Sequence, residues 1–193
     1  MTPYLLLVLF WILWCFVHSL TAALWFKRWA AGWMGRGYRA YRVLYNAISA
    51  WTVVALLRYQ YSIEPLWLIE ASLATRILGG VLVAGGVGIV AVALRGYSAE
   101  FFGVKKLFGQ EPAPVLVQTG LLGRVRHPLY LGTLLVIWGQ LVFDPRLSHL
   151  LADVLLTAYL FVGIVLEERK LILVFGDGYR RYRLRVPMLV PRF

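Results

Sequence analysis

The chain has 193 residues, of which 61% are hydrophobic, with a mean hydropathy of +0.72, where a soluble domain is nearer half apolar. Only 15% of the residues are charged, yet the formal net charge is +11, and the lysines and arginines sit between long apolar runs. This excludes an ordinary soluble domain, argues against nucleic acid as a partner because no nucleic-acid-binding motif accompanies the charge, and leaves one cysteine, Cys15, without a mate for an internal disulfide or a CxxC metal site.

The first apolar run covers about residues 4–26, enough to cross about 30 Å of hydrocarbon at about 1.5 Å per residue. It has neither a basic leader nor a small-residue cleavage site before Lys27-Arg28, so it reads as a retained span and not a signal peptide. A basic, aromatic loop follows with Lys27, Arg28, Arg36, Arg39 and Arg42. The second run is about 44–63, and a short connection carrying Glu64 and Glu70 leads to the third, about 74–94. Within the third run Gly80, Ala84 and Gly88 have the small-xxx-small spacing that lets membrane helices approach closely. The letters Gly86-Val-Gly88-Ile-Val-Ala91 also match a dinucleotide fingerprint, but that motif needs a strand before it and a helix start within it, and here it lies in mid-span.

A polar connection, 95–127, precedes a short fourth run at about 128–143. Asp144-Pro145-Arg146 predicts a turn, the fifth run is about 148–166, and residues 167–193 form a basic, aromatic tail. The fold expected is an all-α integral membrane bundle: one domain of about five transmembrane helices, with helices four and five paired as a hairpin. Seventeen of the twenty Lys and Arg lie in the first loop, the 95–127 connection and the tail, while Arg58, Arg76 and Arg146 lie near the opposite helix ends. The positive-inside rule then puts the N-terminus outside and the tail in the cytoplasm.

Two stretches bring chemistry to the inner face. In Gly123-Arg124-Val-Arg126-His127-Pro128-Leu-Tyr130-Leu-Gly132, Pro128 suits the first turn of a helix, placing His127 at its mouth and Tyr130 within the next turn. Unpaired N–H groups and the positive helix end favour an anionic ligand group there, and Arg124 and Arg126 add to that. The second stretch begins with Glu167-Glu168-Arg169-Lys170-Leu171 and runs through Phe175-Gly176-Asp177-Gly178-Tyr179 and Tyr182 to Val186-Pro187. Two carboxylates closing the fifth span would oppose its dipole and call for a cation. Glu168, Leu171 and Phe175 share one helical face; Tyr179, Tyr182 and Val186 share another. Gly176 reads as a helix C-cap that turns the tail back.

The pattern RHPxYxG followed by EERxLxxxFGxxYxxYxxxVPxxxP, over residues 118–191, resembles the isoprenylcysteine carboxyl methyltransferase superfamily, which includes phospholipid methyltransferases. His18-Ser19, Lys27 to Trp29, Tyr41-Arg-Val-Leu-Tyr45-Asn46-Ala-Ile-Ser49 and, with altered following residues, Glu100-Phe-Phe-Gly103 resemble the bacterial NnrU-like branch and the methanethiol S-methyltransferases. The resemblance implies an S-adenosylmethionine-dependent enzyme of the bacterial inner membrane, with membrane lipid around it and a small or lipophilic methyl acceptor, a thiol or a carboxylate. It implies cofactor binding by Arg126, His127, Pro128, Tyr130, Glu167, Glu168, Leu171, Phe175, Tyr179 and Tyr182, and leaves the general base unassigned. Tyr130, Phe175, Tyr179 and Tyr182 suit an aromatic wall for adenine. Glu167 or Glu168 suits hydroxyls or an ammonium, and Arg126 with the helix mouth suits a carboxylate. A three-histidine metal site is not expected, because the topology separates His127 from His149 by most of a bilayer and His18 suits a helix-packing contact. Two other readings remain at this stage: a nicotinamide-dependent membrane reductase, whose chains are much longer, and a non-catalytic NnrU-like protein that binds lipid or a partner.

Overall fold

A computed structural model describes residues 1–101 and 114–191, with side chains up to residue 95 and from 114 to 191. The described chain is helical: α1 (Thr2–Ala22), α2 (Leu24–Met34), α3 (Tyr41–Ser62), α4 (Leu73–Phe101), α5 (Pro128–Phe143), α6 (Leu147–Phe175) and α7 (Asp177–Arg185). Short 3-10 turns occupy Gly35–Ala40 and Gly120–Gly123. Four segments are long and apolar enough to cross a membrane, Thr2–Ala22, Leu24–Ser62, Leu73–Arg95 and Leu147–Phe175, and Pro128–Phe143 is a shorter apolar helix. The protein is therefore an all-α integral membrane protein. Its contacts divide it into two compact units, residues 1–66 with 97–112 and residues 67–96 with 113–193. Of the motif-like Glu100-Phe-Phe-Gly103 segment, the backbone of Glu100 and Phe101 closes α4, and the other two residues and all four side chains lie outside the described residues.

In the first unit α1 and α3 run antiparallel, and polar side chains set their register. Tyr4 donates to the Glu64 carbonyl (2.8 Å), Trp11 Nε1 to the buried Gln60 amide oxygen (3.2 Å), Trp14 Nε1 to Thr52 (3.0 Å) and Tyr41 to the Thr21 carbonyl (2.7 Å). The last bond explains a departure from the sequence expectation. The run 4–26 is not one helix: it breaks at Ala23, which is extended, and restarts as α2. The Thr21 carbonyl, which a continuing helix would use for Trp25, is taken by the Tyr41 phenol, while the Thr21 hydroxyl folds back on the Val17 carbonyl.

In the second unit α4 and α5 meet through glycine, but not the ones that the spacing picked out. A Cβ on Gly86 would lie 2.6 Å from the Gly132 carbonyl oxygen, and one on Gly139 would lie 2.9 Å from the Val83 nitrogen. Gly79, Gly86, Gly132 and Gly139 are buried and form the seam; Gly80 and Gly88 meet nothing within 4 Å. Each seam pair is seven residues apart, two helical turns, so both glycines of a helix fall on one face. The α5–α6 hairpin forms as expected, and its turn is pinned: Arg146 Nε meets Asp144 Oδ2 at 2.8 Å, Leu68 N–H donates to the Pro145 carbonyl (2.9 Å), and His149 Nδ1 lies 2.8 Å from the Asp144 carbonyl.

The seam yields a paired prediction. Gly86→Val forces backbone apart and is expected to destabilise by about 1–3 kcal/mol or more, as overpacking does. Gly80→Ala enters open space and gains helix propensity of about 1 kcal/mol. Thermal unfolding in detergent checks both: the Gly86→Val protein melts below the parent and the Gly80→Ala protein at or above it.

Candidate active site around Glu168

The junction begins with the N-terminal end of α5. His127 is its N-cap and Pro128 its first residue, and no side chain caps it. Its first-turn N–H groups thus lack partners inside the helix. The opposing surface comes from α6, which does not stop at residue 166 as the apolar run predicts but continues to Phe175. Glu167 and Glu168 therefore lie two turns inside the helix and not at its C-terminus, so the dipole argument for a compensating cation does not apply. Leu171, Ile172 and Phe175 extend the helix by packing, with Leu116, on a buried cluster of Tyr179, Tyr182 and Val186. Gly176, at φ 54°, ends α6 and directly precedes α7. That left-handed conformation is strained for a residue with a side chain.

Glu168 is 5% exposed and gathers two guanidinium groups and an imidazole. Its Oε1 accepts from Arg126 Nε at 2.7 Å and lies 3.2 Å from His127 Nε2; its Oε2 lies 3.2 Å from Arg183 Nε. A buried carboxylate needs such compensation, since an unpaired charge in low dielectric is costly. Arg126 also ties the tail down: its Nη1 donates to the carbonyls of Val186 (2.6 Å) and Arg183 (3.1 Å). The backbone completes the clasp, with Arg126 N–H donating to the Pro187 carbonyl (2.9 Å) and His127 N–H to the Met188 carbonyl (3.2 Å). Tyr182 donates to the Leu122 carbonyl at 2.6 Å, and Arg185 reaches Gln118 at 2.8 Å.

Glu167 differs from its neighbour. Its side chain is 44% exposed, and its Oε2 is 3.9 Å from His127 Nδ1. Tyr130 lies edge-on to His127, with ring centroids 5.5 Å apart, and rests against Gly163 of α6. Tyr179 is 1% exposed, and its phenol oxygen has no partner among the described residues. Burial first, then the nearby Glu168 charge, pushes its pKa up, so it stays a neutral donor. Burial likewise raises Tyr182.

All ten sequence-predicted site residues thus fall on α5, α6, α7 and the residues that enter α5, within one unit. Arg126, His127 and Glu168 are in direct contact, while Leu171, Phe175, Tyr179 and Tyr182 form the apolar backing. Arg183 was missed as a partner of Glu168, being grouped with the tail's basic residues. Its position one turn after Tyr179 was the available signal. The carbonyls of Val186, Pro187 and Met188 were not anticipated as partners at all.

Because Glu168 is the common acceptor, Glu168→Ala leaves Arg126 and His127 without their anion. Breaking a buried pair in this way is expected to cost about 3–5 kcal/mol. The measurement is a melting curve together with limited trypsin digestion: the variant melts early and is cut at Arg180–Arg185 under conditions where the parent resists.

Residues 74–178 match a family model described as phospholipid methyltransferase. The chain is similar to methanethiol S-methyltransferase 1 of Bradyrhizobium diazoefficiens, 36% identical over 182 residues that cover 90% of this chain and 62% of that one. It is also similar to a methanethiol S-methyltransferase of Pseudomonas sp. (strain GM41(2012)), 32% identical over 183 residues, 91% of this chain and 68% of that one. A 78-residue stretch, 40% of this chain and 33% of the other, is 36% identical to protein-S-isoprenylcysteine O-methyltransferase of Schizosaccharomyces pombe. The chain thus spans about three fifths of the length of the first relative. No solved structure matches it significantly. The family model matches more than half of the chain, including the mouth of α5 and the Glu167-Glu168 pair, and the Pseudomonas relative is covered over two thirds of its length. The chain belongs to the phospholipid methyltransferase family.

Proposed function

We propose that this chain is an S-adenosylmethionine-dependent membrane methyltransferase that methylates a small or lipophilic thiol at the cytoplasmic face of a bacterial inner membrane, with its N-terminus outside. The observation that carries the proposal is the Glu168 junction, which assembles the mouth of α5, the exposed carboxylate of Glu167 and the buried Tyr179 phenol on one side of the α5–α6 hairpin. The thiol is chosen over a carboxylate because several similar proteins carry the name methanethiol S-methyltransferase.

The donor set fits such a cofactor. The uncapped N-terminus of α5 offers N–H groups and positive potential to a carboxylate, and Arg126 Nη2 has no partner among the described residues that would prevent it from adding a charge-assisted bond. Glu167, solvent-accessible beside His127, suits an ammonium or ribose hydroxyls. The orphaned Tyr179 phenol suits a polar edge, and Tyr130, Phe175 and Tyr182 supply aromatic surface. When bound, S-adenosylmethionine supplies an electrophilic methyl group whose leaving group departs as a neutral thioether. The protein's own work is then to hold the acceptor in line, to exclude water and to keep the pocket rigid. Glu168 acts as a positioning residue through Arg126, His127 and Arg183. At neutral pH about a few per cent or less of a thiol is ionised, its proton lost to water, and that thiolate is the nucleophile that takes the methyl group.

Isothermal titration of the full-length, detergent-purified protein with S-adenosylhomocysteine tests the reading. Binding is expected; a folded sample that takes up no ligand ends it, and leaves the lipid- or partner-binding alternative. Glu167→Gln removes one charged hydrogen bond, worth about 1.5–3 kcal/mol, and is expected to weaken binding about tenfold or more with the melting temperature unchanged. Methyl transfer to methanethiol, followed by release of dimethyl sulfide, should fall in the same variant; transfer to a carboxylate and not to a thiol would move the acceptor class.

A further inference from the structure

The first unit contains a cavity of about 660 Å³ lined by α1, α2 and α3, within the range of about 300–1,000 Å³ of a site for one small molecule. No Asp, Glu, Lys or Arg lines it among the described residues. The polar side chains in its wall are already engaged. His18 meets the Ser49 hydroxyl through Nδ1 (3.1 Å) and the Tyr45 phenol through Nε2 (2.7 Å), Trp14 donates to Thr52 (3.0 Å), and Tyr41 donates to the Thr21 carbonyl (2.7 Å). The wall therefore offers a ligand packing surface and no charge, which suits a hydrocarbon chain. Along α3 the lining runs from Tyr41 to Tyr59, about 27 Å at about 1.5 Å per residue, close to the about 30 Å of a bilayer's hydrocarbon core. A lipid tail that reaches mid-bilayer, about 15 Å, fits along it. Leu13, Val17, Leu44 and Ile48 of the wall are exposed, so the cavity opens sideways where such a tail enters.

Charge distinguishes the end at Tyr41. Met34, the last residue of α2, and Tyr41, the first of α3, both line the cavity, so the six-residue turn Gly35–Ala40 between them passes that end. Arg36 and Arg39 lie in this turn and Arg42 follows Tyr41; all three are exposed. No Asp or Glu occurs in the sequence before Glu64. The opposite end, at Tyr59, has Arg58 followed by Glu64 and lacks such a run. Helix α2 sets the basic end at the membrane surface. Phe26 and Met34 face the cavity with Ala30 buried between them, while Trp25, Trp29 and Trp33 are exposed along another stripe, the aromatic type that favours headgroup level. Guanidinium groups pair with phosphate through charge-assisted, often bidentate bonds. A zwitterionic headgroup brings a cation of its own to the same arginines, so an acidic lipid is the better match.

We propose that the cavity seats one acyl chain of an anionic phospholipid whose phosphate rests on Arg36, Arg39 and Arg42, held as a resident lipid and not as a methyl acceptor. The site stands apart from the cofactor reading, and its test uses no methyl donor. Native mass spectrometry is applied to the full-length protein after delipidation in non-ionic detergent. One tightly held dioleoylphosphatidylglycerol is expected, bound about tenfold or more tightly than dioleoylphosphatidylcholine. Neither palmitate nor glycerol 3-phosphate at equal concentration should displace it. Arg39→Gln combined with Arg42→Gln should weaken phosphatidylglycerol binding about tenfold or more and leave phosphatidylcholine binding unchanged. Ala55→Phe narrows the wall about 20 Å along α3 from Arg42 and should weaken both lipids about tenfold. Melting curves establish that each variant is folded, and the two changes are far enough apart that a defect in one leaves the other to decide. Equal binding of the two phospholipids, a ladder of adducts without a tight first one, displacement by palmitate or glycerol 3-phosphate, or folded variants that bind as the parent would each overturn the proposal.

Discussion

A carboxylate placed in low dielectric has to be answered by positive charge, and in this protein the answer comes from two distant places in the chain at once. Glu168 lies on α6, Arg126 and His127 enter α5, and Arg183 belongs to α7, so satisfying one side chain fixes three elements relative to one another. The arrangement persists because each member needs the others: Arg126 is itself buried, and its Nη1 donors are spent on the carbonyls of Arg183 and Val186. Without Glu168 those contacts would have to hold a cation with no counter-charge. The aromatic cluster of Tyr179 and Tyr182 stands behind this junction, adding apolar burial to an electrostatic clasp.

What lets these charges meet is the hairpin behind them. Glycine at four positions brings the α4 and α5 backbones together, and the Asp144–Arg146 turn is closed by an ion pair, a backbone bond to Leu68 and the Arg146 guanidinium 4.9 Å over Trp67. With its turn pinned, the α5–α6 pair presents its other end as a fixed platform. Adjacent carboxylates there take distinct parts: Glu168 turns inward and is consumed by structure, while Glu167 remains exposed.

Much of this was legible before any coordinates. The apolar runs located every long helix, Pro128 marked the start of α5, and Asp144-Pro145-Arg146 marked the turn. Gly176 marked the end of α6. The departures have physical causes. The break at Ala23 depends on a tyrosine 18 positions further on taking a helix carbonyl, which hydropathy does not register. α6 outruns its apolar stretch because its last turns are held by side-chain packing and not by lipid. The glycine seam was misplaced by one residue at Gly79 and by two at Gly86, since residues 79–88 hold five glycines and only the partner helix decides which face inward. Arg183 looked like one basic residue among several because its distinction is a distance to Glu168, not a feature of its neighbourhood in sequence.

The main-chain bonds from Arg126 and His127 to Pro187 and Met188 join segments some sixty residues apart. A nascent chain with all its helices already formed would still lack this clasp, and its arginine would be without the Val186 carbonyl. Closure of the Glu168 junction is therefore gated by the emergence of a short stretch beyond α7 from the ribosome. A ribosome-bound intermediate would be a membrane-embedded protein in every outward respect and yet have an unfastened junction around Glu168.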